Sequence, residues 1–183
     1  MQPGKLAVVG VTMVIVVVGI VVGASFLTFP EAIPLTKTTT DRDLLALGLE
    51  VPSNWEFEMS DNSTLTLSSL RGQVVLVDLM ATWCSTCSSE NGYLQTIADN
   101  MAGTVVVVSL TVDTSETPSM MALYKSSQGL SWAHGVDDKQ FMNYFAVTSI
   151  PSMVLIDSNG VFRYFHVGLW SDASISTRVT SIL

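Results

Sequence analysis

The chain is poor in cysteine, histidine and positive charge: of its 183 residues two are Cys, two are His and 8 are Lys or Arg. Two cysteines are too few for a disulfide-built scaffold. Structural zinc takes about four ligands at close spacing. His134 and His166 are far apart in the sequence, so no metal site is expected. The 16 acidic residues outnumber the basic ones, which argues against nucleic acid as a partner. No segment repeats, which excludes a solenoid. One scarcity is local: from Leu6 to Phe29 there is no charged residue at all.

That uncharged stretch is rich in Val and Ile. As a helix it would be about 36 Å long, enough to cross a hydrocarbon core of about 30 Å. It is therefore expected to anchor the chain in a lipid bilayer through residues 6–29. A cleaved secretory signal is the competing reading, with Val22-Gly23-Ala24 as the cleavage site. A signal's apolar region usually runs about 7–15 residues, shorter than this one. Lys5 precedes the span and Glu31 follows it, which favours a cytoplasmic N-terminus and an extracytoplasmic remainder. The expected organisation is an anchor over 1–29, a linker over 30–50 and one domain over 51–183. Pro30, Pro34 and Thr36 to Thr40 show no hydrophobic period, and Asp41 to Leu49 reads as a short helical piece.

Within the domain, Trp55 to Met59 alternates like a strand, and Thr64 to Leu67 is a second short one. Val74 to Met80 is nearly continuous hydrophobe, as in a strand buried on both faces. Cys84 to about Met101 follows as a helix, then Val105 to Val112 as a second buried strand. Thr117-Pro118 opens a helix to about Ser126, and Asp138 to Phe145 reads as another. Met153 to Ile156 and Val161 to Val167 form a hairpin around Asp157-Ser158-Asn159-Gly160, and Ser171 to Leu183 closes the chain as a helix. This order predicts an α/β fold with a mixed sheet.

Both cysteines sit in Trp83-Cys84-Ser85-Thr86-Cys87, where the buried strand turns into the helix. Free N–H groups and partial positive charge at a helix start favour thiolate over thiol. The thiolate is the species that attacks a disulfide. Cys84 is the expected nucleophile, exposed on one side; Cys87, one turn later, is the expected resolving thiol. The bland alternative is a structural disulfide, though so short a loop constrains the unfolded chain little. Asp78 lies inside the apolar strand, where an unpaired carboxylate is costly and its pKa should rise.

The segment Val77-Asp78-Leu79-Met80-Ala81-Thr82-Trp83-Cys84-Ser85-Thr86-Cys87 resembles the active-site region of thioredoxin-like proteins. Ser149-Ile150-Pro151-Ser152 and the hairpin after it resemble that family's cis-proline loop. Together with the anchor, Leu65 to Gly72 and Val112-Asp113, they look like the TlpA/ResA branch of membrane-tethered extracytoplasmic thiol–disulfide oxidoreductases. The likeness covers about Val51 to Gly168. It implies a thioredoxin fold, no cofactor beyond a redox-active Cys84–Cys87 pair, a protein thiol or disulfide as substrate, and a membrane electron donor. Cytochrome c maturation is a natural setting for the branch. The resemblance further implies that Asp78 takes a proton from Cys87, or else Asp78 points to a strand end or pairs with a surface Lys. It implies a cis Pro151 that leaves Ile150 free to pair with an extended substrate, against an ordinary loop proline. Trp83 would flank the site, or be a packed core aromatic. Glu90 would face the site and tune thiol acidity, or be a solvated helix charge.

The chain departs from the branch at Ser85-Thr86, Met80 and Gly92, where a proline before the second cysteine, an aromatic residue and a helix-kinking proline are usual. The residues between the cysteines influence redox potential, so an oxidase is the alternative direction. Two other classes stay open. A copper-handling module of the Sco type would call for CxxxC and a placed histidine. A non-catalytic thioredoxin-like interaction domain would not need Cys84. No Pro-x-x-x-Thr-x-x-Cys pattern of the peroxiredoxin type is present.

Overall fold

The computed structural model describes residues 41–43 and 48–183, which fall within one compact unit. The span expected over residues 6–29 lies outside the described residues, as does most of the expected linker. Among the described residues no helix is long and apolar enough to cross a membrane.

A six-stranded mixed sheet carries the fold. Its strands are β1 (Asp41–Asp43), β4 (Val74–Met80), β5 (Val105–Thr111), β6 (Ala133–Val136), β7 (Ser152–Ile156) and β8 (Phe162–Val167), in the order β1-β8-β7-β4-β5-β6. A separate hairpin pairs β2 (Glu56–Glu58) with β3 (Thr64–Thr66). β4 runs parallel to β5 and β5 to β6, while β4–β7, β7–β8 and β8–β1 are antiparallel. This is the mixed sheet that the order of elements predicts. Two expectations are corrected. Asp41–Asp43, read as the start of a helical piece, is a strand paired with His166 to Tyr164 of β8. The sequence reading also passed over β6, four residues interrupted by His134 and Gly135. A Cβ at Gly135 would lie 2.7 Å from the Glu58 carbonyl oxygen and from Met59 Sδ, so the hairpin's close approach requires a glycine there.

Side-chain alternation splits the core into two layers. All seven residues of β4 are buried. Val74, Leu76 and Met80 face a layer shared with α1 (Ser85–Asn100), α2 (Pro118–Gln128) and α4 (Asp172–Thr180). Val75, Val77 and Leu79 face the opposite layer, with α3 (Gln140–Tyr144) and a cluster of Trp55, Phe57, Phe141, Phe145 and Phe162. Period two therefore sends Asp78 to the α1 face, the face that also holds Cys84 and Cys87. Three of the helices start on side-chain caps, and α3 does not. Cys84 Sγ, Thr117 Oγ1 and Ser171 Oγ accept from Cys87, Met120 and Ser174 N–H at the starts of α1, α2 and α4.

Candidate active site

Buried β4 ends at Met80, and four residues later Cys84 caps α1. Cys84 and Cys87 form a disulfide with Cα atoms 5.3 Å apart. The Cys87 N–H donates to Cys84 Sγ at 3.1 Å. The sulfur thus occupies the place of an N-cap oxygen, where the free donors and positive end of the helix favour negative charge. Cys84 is more enclosed than the sequence suggested, at 7% exposure against 2% for Cys87.

The turn that presents Cys84 is pinned by a carboxylate the sequence reading passed over. Glu116 is buried and accepts from the Thr82 N–H at 3.0 Å, from the Thr82 hydroxyl and from the Thr111 hydroxyl. Trp83 is 68% exposed, so it is no core aromatic. Its indole N–H donates to Asp113 Oδ2 at 2.7 Å. The Ser115 hydroxyl and N–H, with that indole, hold the Asp113 carboxyl below the usual carboxylate range. Trp83 walls a groove of about 260 Å³, with Met142, Val147 and Ile150 among its other lining residues.

The Ile150–Pro151 bond is cis, so Pro151 is no ordinary loop proline. Leu79 pairs with Ser152, which brings the proline loop to the sheet end where β4 gives way to Cys84. Ile150 is half-buried and packs against both core layers.

Asp78 is 3% exposed in mid-strand, which removes the strand-end and surface-lysine alternatives. Ser109 Oγ donates to its Oδ2 at 2.7 Å, while Oδ1 has no hydrogen-bond partner among the described residues. Burial pushes its pKa up to about 7, with the Ser109 bond pulling the other way. Glu90 is fully buried, which corrects the solvated alternative. Its Oε1 accepts from the Trp170 N–H at 2.6 Å. Burial first, then the charge of Asp78, push it up to about 8. Two buried carboxyls are thus close enough to couple, each with one oxygen lacking a hydrogen-bond partner among the described residues. Both histidines bind their own backbone: His134 Nδ1 lies 3.0 Å from Trp132 O, and His166 Nε2 lies 3.1 Å from Leu169 O.

The Redoxin family pattern matches residues 46–176, from just before the hairpin into α4. The chain belongs to the Redoxin family. This Redoxin is 30% identical over 117 residues to the thiol:disulfide interchange protein DsbE of Allochromatium vinosum, covering 62% of this chain and 64% of that protein. It is 25% identical over 150 residues to the thiol-disulfide oxidoreductase ResA of Geobacillus kaustophilus, covering 80% of this chain and 84% of that protein. The chain spans about six-tenths of the first curated relatives it matches. The solved DsbF homologue from Corynebacterium diphtheriae superposes with a TM-score of 0.68 at 16% identity, over 80% of this chain and 95% of that one. That likeness is one of fold, and the fold is thioredoxin-like.

Proposed function

We propose that this Redoxin is a membrane-anchored, extracytoplasmic thiol–disulfide oxidoreductase that reduces disulfides in proteins. The observation that carries the reading is a disulfide at a helix start, on the sheet face to which the buried Asp78 points, with the cis Ile150–Pro151 loop at the end of β4 that leads to Cys84. In the reduced chain the Cys84 thiolate attacks one sulfur of a substrate disulfide. A mixed disulfide forms and one substrate thiolate leaves. Cys87 then loses its proton to Asp78 and attacks Cys84 Sγ. The Cys84–Cys87 bond re-forms, the second substrate thiol is released, and two electrons have passed to the substrate. A membrane electron donor returns the pair to the dithiol. The Trp83 groove and the backbone of Ile150 receive an extended segment of the substrate. The anchor at residues 6–29 and the extracytoplasmic placement rest on the charge-free N-terminal stretch. A role in cytochrome c maturation rests on the resemblance to the TlpA/ResA branch.

The test is a redox titration of the whole chain, with free thiols counted by alkylation and mass. A midpoint near that of thioredoxin, about −270 mV, supports the reductase; one near about −120 mV makes the protein an oxidant of its partners. Cys84→Ser should abolish transfer to a peptide disulfide. Wild-type behaviour of that variant would leave a non-catalytic interaction domain.

A further inference from the structure

Asp78 does not stand alone on its face of the sheet. The parallel register sets Ser109 of β5 directly beside it, and the same alternation sends both side chains to the α1 layer. Trp132, just before β6, is buried in that layer. Its indole Nε1 donates to Ser109 Oγ at 2.8 Å, and Ser109 Oγ donates to Asp78 Oδ2 at 2.7 Å. An indole N–H can only donate, and a hydroxyl has one proton to give. Trp132 therefore occupies an acceptor lone pair of Ser109 and leaves the hydroxyl proton for the carboxylate. The ring is itself fixed, stacked on His134 with centroids 5.4 Å apart.

We infer that Ser109 and Trp132 are positioning residues for Asp78: the chain of bonds from Trp132 through Ser109 occupies Oδ2 and makes Oδ1 the oxygen that takes the proton of Cys87. This rests on the proposed function, and it assigns the proton-accepting atom. The hydroxyl stabilises the ionised carboxylate against the cost of burial, so it lowers the pH at which Asp78 is ready to act as a base. The other titratable and charged groups around this face are Glu90 and the cysteine pair at α1, Tyr124 and Lys125 of α2, His134 of β6, Glu116 bonded to Thr111 of β5, and Tyr164 and His166 of β8, with Arg178 of α4 over the Tyr164 ring. Of these Glu90 couples to Asp78: the Asp78 charge raises the proton affinity of Glu90, while burial is what opposes Ser109 at Asp78 itself.

The experiment titrates aspartate carboxyl carbons by NMR in the oxidised, full-length chain in detergent, where the cysteines do not titrate. Asp78→Asn identifies the signal. Ser109→Ala should move the Asp78 midpoint up by about one pH unit, the size expected for a lost hydrogen bond to a charged group. Trp132→Phe, which keeps a ring and removes the N–H, should move it the same way by less. An unmoved midpoint in both variants overturns the inference. The pH profile for resolving a mixed disulfide, read by stopped flow, should shift in step, so that below its midpoint Ser109→Ala is slower by up to about tenfold. A moved titration with an unmoved rate profile overturns Asp78 Oδ1 as the acceptor of the Cys87 proton while leaving the Cys84–Cys87 chemistry of the proposed function standing, which separates the two readings.

Discussion

Asp78 and Glu90 are neutral in the fold at pH values where the unfolded chain ionises them, and this has a sign. Their folded pKa values, about 7 and about 8, lie above their ordinary ones. The native state therefore holds more protons than the unfolded state up to those values, so their contribution to stability is present at low pH and lost as pH rises. His134 works the other way: burial lowers its pKa to about 4, so its contribution is lost as pH falls from its ordinary 6.5. The two effects oppose each other below that value and only the carboxyls act above it. The oxidised protein should lose thermal stability between about pH 6.5 and 8. Glu90→Gln should flatten that decline, which a set of melting curves across the interval checks. The cysteine pair and the buried Asp78 were legible because a nearly continuous apolar run leads to the two cysteines, and because one acid in such a run is conspicuous. Glu116, Ser109 and Trp132 were not. Their partners lie 34, 31 and 23 positions away in the chain, and a serine in a strand or a glutamate in a loop carries no local sign of burial.

At the scale of elements, α1 holds a glycine where the branch it resembles has a kinking proline. Gly92 is in the helix interior, exposed, and a Cβ there would meet nothing within 4 Å. Gly92→Ala should stabilise the protein by about 0.5–1 kcal/mol, because alanine gives up less backbone freedom on folding. Denaturant unfolding of the two oxidised proteins measures it, and a loss of stability would mean that α1 needs the glycine for a reason outside its own packing. The buried strands β4 and β5 and the β7–β8 hairpin were readable from apolar runs and turn residues. β1 was not, because Asp-Arg-Asp has no hydrophobic period; its place comes from backbone pairing with β8. β6 was lost for the same reason, since His134 and Gly135 interrupt it and only the β2–β3 hairpin explains the glycine.

At the scale of the whole molecule, the proposed anchor makes a plain prediction. The full chain should stay with the membrane fraction after alkaline carbonate washing, with the domain open to protease added from the non-cytoplasmic side. Release by the wash, together with a shortened N-terminus, would instead indicate a cleaved signal. The acidic surplus argues against nucleic acid as a partner and otherwise says little about function. The enclosure of Cys84 says more. With 7% of the residue exposed, Cys84 offers little surface to a disulfide held inside a rigid globule. Under the proposed function, a partner would meet it best with sulfurs on an extended stretch laid in the groove beside Trp83. If the protein does reduce disulfides as proposed, the order of events in a partner's folding would matter: a chain still open would be served, and one already closed over its sulfurs would not.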